Sequence, residues 1–354
     1  MSRRLFTVGP VEVKEELLQA MARPMIIHRG KEYRQLHEGI IEKIRKMLDT
    51  DMEILMVGAS ASGLLEACSR CAVKQKVLGL SNGAFGTRWQ EISELNGKEV
   101  LKVNVPWGVP ILPQDFEDLI DESIDAVHMV SNESSTGILN PVNEIVEAIR
   151  EKTDVPIMVD AVTAAAGMDL DLRHLDIDAF VFGTQKALAL PPGLAIMACS
   201  ERLLERAAKA DNAGFYFNLA ELHKKNQENY ALTTPPVSLL FGLDVQLDRI
   251  LAEGMPQRYR RHREMADLVR DWALLHGGLY APEGYRSDTI SVINKGDMPF
   301  EIFFSRLKEK GYEISNGYGK IKDTTFRIGH MGDLTIADIK ELIVKMDETL
   351  EELE

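Results

Sequence analysis

Lys186 and Asp160 are the two residues whose types and spacing could do chemistry together. Asp160 closes the apolar run Pro156-Ile157-Met158-Val159. Twenty-six residues later, Lys186 follows Ala179-Phe180-Val181-Phe182-Gly183, separated from it by Thr184 and Gln185. Both runs read as buried strands, so each delivers its polar residue at a strand tip, and the two tips could face one cleft. A lysine amine condenses with an aldehyde, and an acid beside a heterocyclic nitrogen keeps that ring cationic and electron-withdrawing. These are the two groups that pyridoxal 5'-phosphate (PLP) requires of a protein, which makes Lys186 and Asp160 the candidate catalytic pair.

Three further stretches sit where strands give way to loops. In Gly58-Ala59-Ser60-Ala61-Ser62-Gly63, small side chains precede a helical pattern from about Leu64 to Val73. Backbone N–H groups there, with the partial positive charge of a helix start, could hold a phosphate, with Ser62 and Gln185 as further donors. The same letters also fit a turn made small for close packing. Phe85, in Ser81-Asn82-Gly83-Ala84-Phe85-Gly86, could lie over a pyridine ring or be an ordinary core aromatic. Ser134, in the polar loop Ser131–Gly137, could bond a ring hydroxyl, or the loop could simply cap the helix after Pro141. Arg327 is a cation in the otherwise apolar strand Thr325–Gly329; it suits a substrate carboxylate held bidentately, and equally a structural ion pair.

The elements that must position these residues alternate from Glu53 to Ser200. Strands are expected at Ile54-Val57, Val77-Leu80, Val100-Val105, Ala126-Val130, Ile157-Asp160, Ala179-Gly183 and Ala195-Ala198, with helices at Leu64-Val73, Gly86-Leu95, Asp115-Ile120 and Val142-Arg150. This is the pattern of an α/β domain whose mostly parallel seven-stranded sheet is flanked by helices and binds ligands beyond its strand tips. After Thr234-Pro235-Pro236 the grain changes to a smaller α+β C-terminal domain. It has helices at Ser238–Glu253, Pro256–His276, Phe300–Lys310 and Thr335–Glu351, and strands at Thr289–Asn294 and Thr325–Gly329. The expected division is 14–253 for the large domain, and 1–13 with 254–354 for the small one.

A chain of 354 residues with 45% hydrophobic residues can bury a large core. Its formal net charge of -14 and lack of a long basic run argue against nucleic-acid or anionic-membrane binding. No apolar stretch approaches membrane-spanning length and no secretory signal is evident, so the expected location is the cytoplasm. Cys68, Cys71 and Cys199 do not make a disulfide framework. Cys68 and Cys71 have C-x-x-C spacing, but no second pair or nearby histidine completes a zinc set, so no metal is expected.

Taken together, five ordered stretches resemble the class V aminotransferases of PLP fold type I, in their alanine/serine-glyoxylate aminotransferase branch. They are Ser131–Gly137, Val159–Val162, Gly183–Ala187 with Pro191-Pro192-Gly193, Tyr230–Pro235, and Arg327–Gly329. The resemblance implies that Lys186 forms the Schiff base and that Asp160 partners the pyridine nitrogen. Val162 and Phe85 would flank the ring and Ser134 would approach its oxygen. Ser62, the Ala61 and Ser62 backbone, and Gln185 would hold the phosphate. Arg327 would bind the substrate carboxylate. Tyr230 and Thr233 would reach the neighbouring subunit's phosphate, which implies a homodimer with shared active sites.

The activity implied is ping-pong transamination from a small amino acid such as alanine or serine to a 2-oxo acid such as glyoxylate or pyruvate. Alternatives on the same fold are an aspartate or 2-aminoethylphosphonate transaminase, a cysteine desulfurase or related lyase, and a non-catalytic binding protein. Ser60-Ala61-Ser62 stands where Ser-Gly-Thr is common, Ser131 where histidine is, and Val11 where a second glycine is; these departures bear on the substrate. His28-Arg29 could border the substrate pocket or an interface.

Overall fold

The computed structural model describes residues 3–353; Met1, Ser2 and Glu354, at the ends of the segments expected to form the smaller domain, lie outside the described residues. Seven strands form the large sheet: β1 Glu53–Val57, β2 Lys76–Ser81, β3 Glu99–Asn104, β4 Ala126–Val130, β5 Ile157–Asp160, β6 Ala179–Gly183 and β7 Ala195–Cys199. Their spatial order is β1-β7-β6-β5-β4-β2-β3. Every pairing is parallel except those of β7, which runs antiparallel to both β1 and β6.

Both faces of this sheet are covered at its centre, which is why β4, β5, β6 and β7 are buried throughout, whereas the edge strand β3 is largely open. Successive side chains go to opposite sides. Ile157 and Val159 join a core with the helices Lys31–Leu48, Val142–Arg150 and Val237–Glu253. Met158 joins a second core with the helices Ala61–Cys71 and Leu219–Asn226. β6 alternates likewise, Phe180 and Phe182 against Ala179 and Val181. Once these faces are filled, the polar residues that end the runs are left at the rim.

The C-terminal domain has a three-stranded antiparallel sheet in the order Ile290–Asn294, Thr325–Gly329, Ser315–Asn316. The helices Met255–His276, Phe300–Glu309 and Ile336–Glu351 accompany it. Their core gathers Trp272, Phe303, Phe326, Ile328 and Leu342, and includes Phe6 from the chain's start. Arg4–Leu5 pairs in parallel with Tyr312–Glu313, and the Gly329 N–H donates to the Phe6 carbonyl at 2.8 Å. The last helix begins on a capping box in which Thr335 and Asp338 satisfy each other's backbone N–H groups.

One expected helix is absent. Asp115-Ile120 instead spans the end of one single 3₁₀ turn, Pro113–Asp115, and a second, Glu117–Leu119, separated by Phe116 at φ -142°. Phe116 is fully buried there, so anchoring one aromatic ring in the core outweighs continuing a helix of low intrinsic stability. Conversely, the helices Glu15–Met21, Lys31–Leu48, Glu201–Ala207 and Leu219–Asn226 were not expected from the pattern. No helix among the described residues is long and apolar enough to cross a membrane.

Arg258, 1% exposed on the helix Met255–His276, ties this helix to both loops that leave the central strands. It donates to the Ala166 carbonyl at 2.9 Å, the Ala187 carbonyl at 2.6 Å and Glu253 at 2.8 Å. Removing one member of such a buried network leaves the others unpaired. Arg258→Met is expected to lose about 3–5 kcal/mol in equilibrium urea unfolding. Arg306→Ala, which breaks an exposed pair with Glu309 at 3.1 Å, should change stability by less than about 0.5 kcal/mol.

Candidate active site

Asp160 and Lys186 meet in one cavity because β5 and β6 are parallel neighbours, with Asp160 opposite Val181. Asp160 ends β5, and Lys186 lies three residues beyond the end of β6. The cavity, about 270 Å³, is lined by Ser60, Ala61, Ser62, Phe85, Arg88, Asn132, Ser134, Asp160, Val162, Thr163, Gln185 and Lys186, among others. It gathers eight of the cofactor-contact candidates: Ala61, Ser62, Phe85, Ser134, Asp160, Val162, Gln185 and Lys186.

Burial sets the electrostatics of the pair. Asp160 is 6% exposed; its Oδ1 accepts the Val162 N–H at 2.9 Å, and desolvation pushes its pKa up to about 7, helped by Glu133 and opposed by Lys186 and Arg88. The Lys186 amine donates to the Val8 carbonyl. Desolvation and then the Arg327 charge bring it down to about 8, against the favourable field of Asp160. Burial thus disfavours the charged form of both groups. Such opposed shifts on adjacent groups are characteristic of catalytic sites.

At the other end of the cavity, the helix Ala61–Cys71 opens with no side-chain cap on its first turn. Ser60, Ala61 and Ser62, at this helix start, line the cavity and leave N–H groups of the first turn for a phosphate. Two cations, a carboxyl, an uncapped helix start and an aromatic wall within one hollow fit a phosphorylated pyridine aldehyde.

Arg327 does not line this hollow directly. It points away from Phe326 and Ile328, which face the C-terminal core, and is held by two carbonyls: its Nε donates to Asn316 at 3.0 Å and its Nη1 to Ser134 at 3.3 Å. Burial lowers its pKa to about 10, while Tyr318 and Glu133 favour the charge, so it remains a cation. No carboxylate among the described residues pairs with it. Tyr230 and Thr233 lie outside their own chain's cavity. The Tyr230 hydroxyl donates to the Arg29 carbonyl at 3.0 Å and accepts from Arg34 at 2.6 Å. Thr233 lines a separate hollow beside Tyr33 and His37.

Four participants escaped the sequence reading. Val8 acts through its carbonyl, which leaves no trace in residue type. Gly9 is required because a Cβ there would stand 2.7 Å from the Lys186 Cδ, at a φ of +113°. Arg88 lines the cavity one helical turn after Phe85, with its guanidinium 4.9 Å from that ring's centre; this i,i+3 spacing was the available signal. Tyr318 accepts from Arg88 at 2.9 Å, stacks on Phe85 at 5.5 Å and lies 5.2 Å from Arg327, and so spans both domains. Ser131, by contrast, turns to the backbone: its N–H and hydroxyl both donate to the Asp160 carbonyl, at 2.9 and 2.8 Å.

The chain matches the class-V aminotransferase family over residues 12–314. It is 33% identical to an uncharacterized aminotransferase of Methanocaldococcus jannaschii, over 100% of this chain and 94% of that one. It is 30% identical to the L-aspartate–glyoxylate aminotransferase of Paracoccus denitrificans, over 94% and 87%. An aspartate aminotransferase of subgroup IV from Thermus thermophilus superposes with a TM-score of 0.91 at 25% identity, covering 99% of this chain and 100% of that one. The protein thus belongs to the class-V aminotransferases, and is a PLP-dependent aminotransferase of fold type I.

The field of Arg327 on Lys186 has a measurable sign. Capture of pyridoxal by the apoprotein, followed by absorbance, should speed up with pH through about 8 as the amine deprotonates. Arg327→Leu removes a repelling cation and should move that midpoint to higher pH. A midpoint that stays or falls would contradict the arrangement.

Proposed function

We propose that the protein transfers the amino group of a small amino acid, such as alanine or serine, to a 2-oxo acid such as glyoxylate or pyruvate in a ping-pong cycle. The observation that carries this reading is the convergence of Asp160 and Lys186, with opposed pKa shifts, in one cavity. When bound, PLP supplies an aldehyde that condenses with amines and a ring that accepts electrons from a carbanion. Lys186 Nζ is the nucleophile that holds the aldehyde and, once released, the base that carries the substrate's Cα proton. Asp160 would hold a proton at the ring nitrogen. Phe85 and Val162 would flank the ring, Ser134 would bond its oxygen, and Ser62, Gln185 and the Ala61–Ser62 backbone would take the phosphate. Arg327, oriented by two carbonyls, binds the substrate carboxylate and thereby turns the Cα–H bond toward Lys186.

Tyr230 and Thr233, turned away from their own cavity, are assigned to the phosphate of the neighbouring subunit, making the enzyme a homodimer with shared sites. We divide its domains as 14–253 against 1–13 with 254–354, a reading supported by the end of the helix Val237–Glu253 at Gly254, with a φ of +82°. Three unpaired, buried thiols support a cytoplasmic location. They also weigh against desulfuration: burial pushes all three thiols up in pKa, and none lines the cavity.

A second reading, aspartate as donor, is favoured by Arg88. This guanidinium lines the cavity and pairs with no carboxylate among the described residues, leaving a cation for a second substrate carboxylate. The L-aspartate–glyoxylate relative agrees with it. One experiment serves both readings: the PLP-loaded protein is mixed with alanine, serine, aspartate or 2-aminoethylphosphonate, and its absorbance followed. Lys186→Ala should abolish conversion with every donor; full turnover in that variant would rule out the mechanism. Arg88→Leu should reduce aspartate turnover about 100-fold and alanine turnover only a few-fold if aspartate is the donor, and both alike if it is not.

A further inference from the structure

Glu133 is a buried charge that the catalytic assignments leave without a task. It lies in the Ser131–Gly137 loop, next to Ser134, and is 0% exposed. Its Oε2 accepts the N–H groups of Phe85 and Gly86, both at 3.0 Å. Its Oε1 accepts the Ser135 N–H at 3.1 Å and the Ser135 hydroxyl at 2.6 Å. All four partners are donors, three of them backbone groups that cannot reverse their role, so the site suits a carboxylate with both oxygens accepting. Burial raises its pKa, and the four bonds oppose that rise only in part.

The placement matters because of what those donors belong to. Phe85 and Gly86 open the helix Ala84–Leu95, and the Ala84 N–H is taken by the Ser135 hydroxyl at 3.0 Å. The first three N–H groups of that helix are thus satisfied by the loop rather than by a cap of its own. Gly83 is part of the same fit: a Cβ there would stand 2.2 Å from the Glu133 Cγ and 2.6 Å from the Ser135 hydroxyl. Phe85 on one wall of the cavity and Ser134 on another are therefore joined through a single carboxylate, although they come from segments 49 residues apart in the chain.

We infer that Glu133 is a positioning residue for the cofactor. It locks the Phe85 ring and the Ser134 hydroxyl into one rigid unit, so that the ring and its oxygen substituent are gripped at a fixed separation. The inference rests on the proposed roles of Phe85 and Ser134. Glu133 touches neither substrate nor cofactor, and its effect must pass through those two residues. Glu133→Gln keeps the shape but turns one acceptor into an NH₂ group facing N–H donors, which forces the helix start and the loop apart.

The test is equilibrium binding of PLP to the apoprotein in the wild type, Glu133→Gln, Phe85→Leu and the double variant, with melting temperatures of the same samples without cofactor. Ser135→Ala is included because it loses only one of Glu133's four bonds. Glu133→Gln should weaken PLP binding about tenfold or more, and Ser135→Ala should shift it the same way by a smaller factor. The double variant should bind no more than about twofold worse than the weaker single one, since both changes remove the same wall. Losses that multiply, or unchanged PLP affinity in Glu133→Gln or Ser135→Ala alongside a lowered melting temperature, would overturn the inference. If Glu133→Gln does not fold, the cycle is run with Ser135→Ala in its place. Failure of the wild type to take up PLP would instead sink the cofactor assignments.

Discussion

A carboxyl and an amine withdrawn from water on adjacent parallel strands form the constraint on which the rest of this structure depends. Desolvation disfavours the charged form of each, lifting Asp160 toward 7 and lowering Lys186 toward 8. Two groups so matched can pass or hold a proton near neutral pH without either being locked as an ion. The arrangement is tolerable only on a stiff frame. β5 and β6 are central in a seven-stranded sheet covered on both faces, and the buried Arg258 holds the loops just beyond both tips.

Charge is distributed around that pair with a clear asymmetry. Lys186, Arg88 and Arg327 bring positive charge toward the cavity, while the carboxyls nearby, Asp160 and Glu133, are buried and already engaged with backbone N–H groups. The result is a hollow that favours anions, with the helix start at Ser60–Ser62 in its lining and Arg327 beyond it. A phosphate and a substrate carboxylate are such anions, and the two positive features give a ligand carrying both a preferred direction.

Much of this was legible in the sequence because it is local. All seven strands of the large sheet were apparent as apolar runs, and both key residues follow directly from where those runs end. Ser62, Phe85, Ser134 and Gln185 could be traced to the cavity lining for the same reason, each lying past a strand tip. What escaped depends on distant partners. The Val8 carbonyl, the clearance at Gly9 and the cross-domain reach of Tyr318 involve segments more than a hundred residues from what they touch, and no periodicity reports such contacts. Asp115-Ile120 was misjudged because its helical spacing is real while its length is too short to outweigh the anchoring of Phe116.

The first ten residues carry a consequence for how the catalytic hollow is held together. Phe6 packs with the C-terminal core and bonds Gly329, while two residues on Val8 offers its carbonyl to Lys186. Val8 is therefore positioned through a contact with the C-terminal core rather than by the large sheet alone. The amine's surroundings are thus completed by a segment whose own anchor lies on a strand of the C-terminal core, so anything that loosens Gly329 or Phe6 reaches the catalytic hollow through Val8.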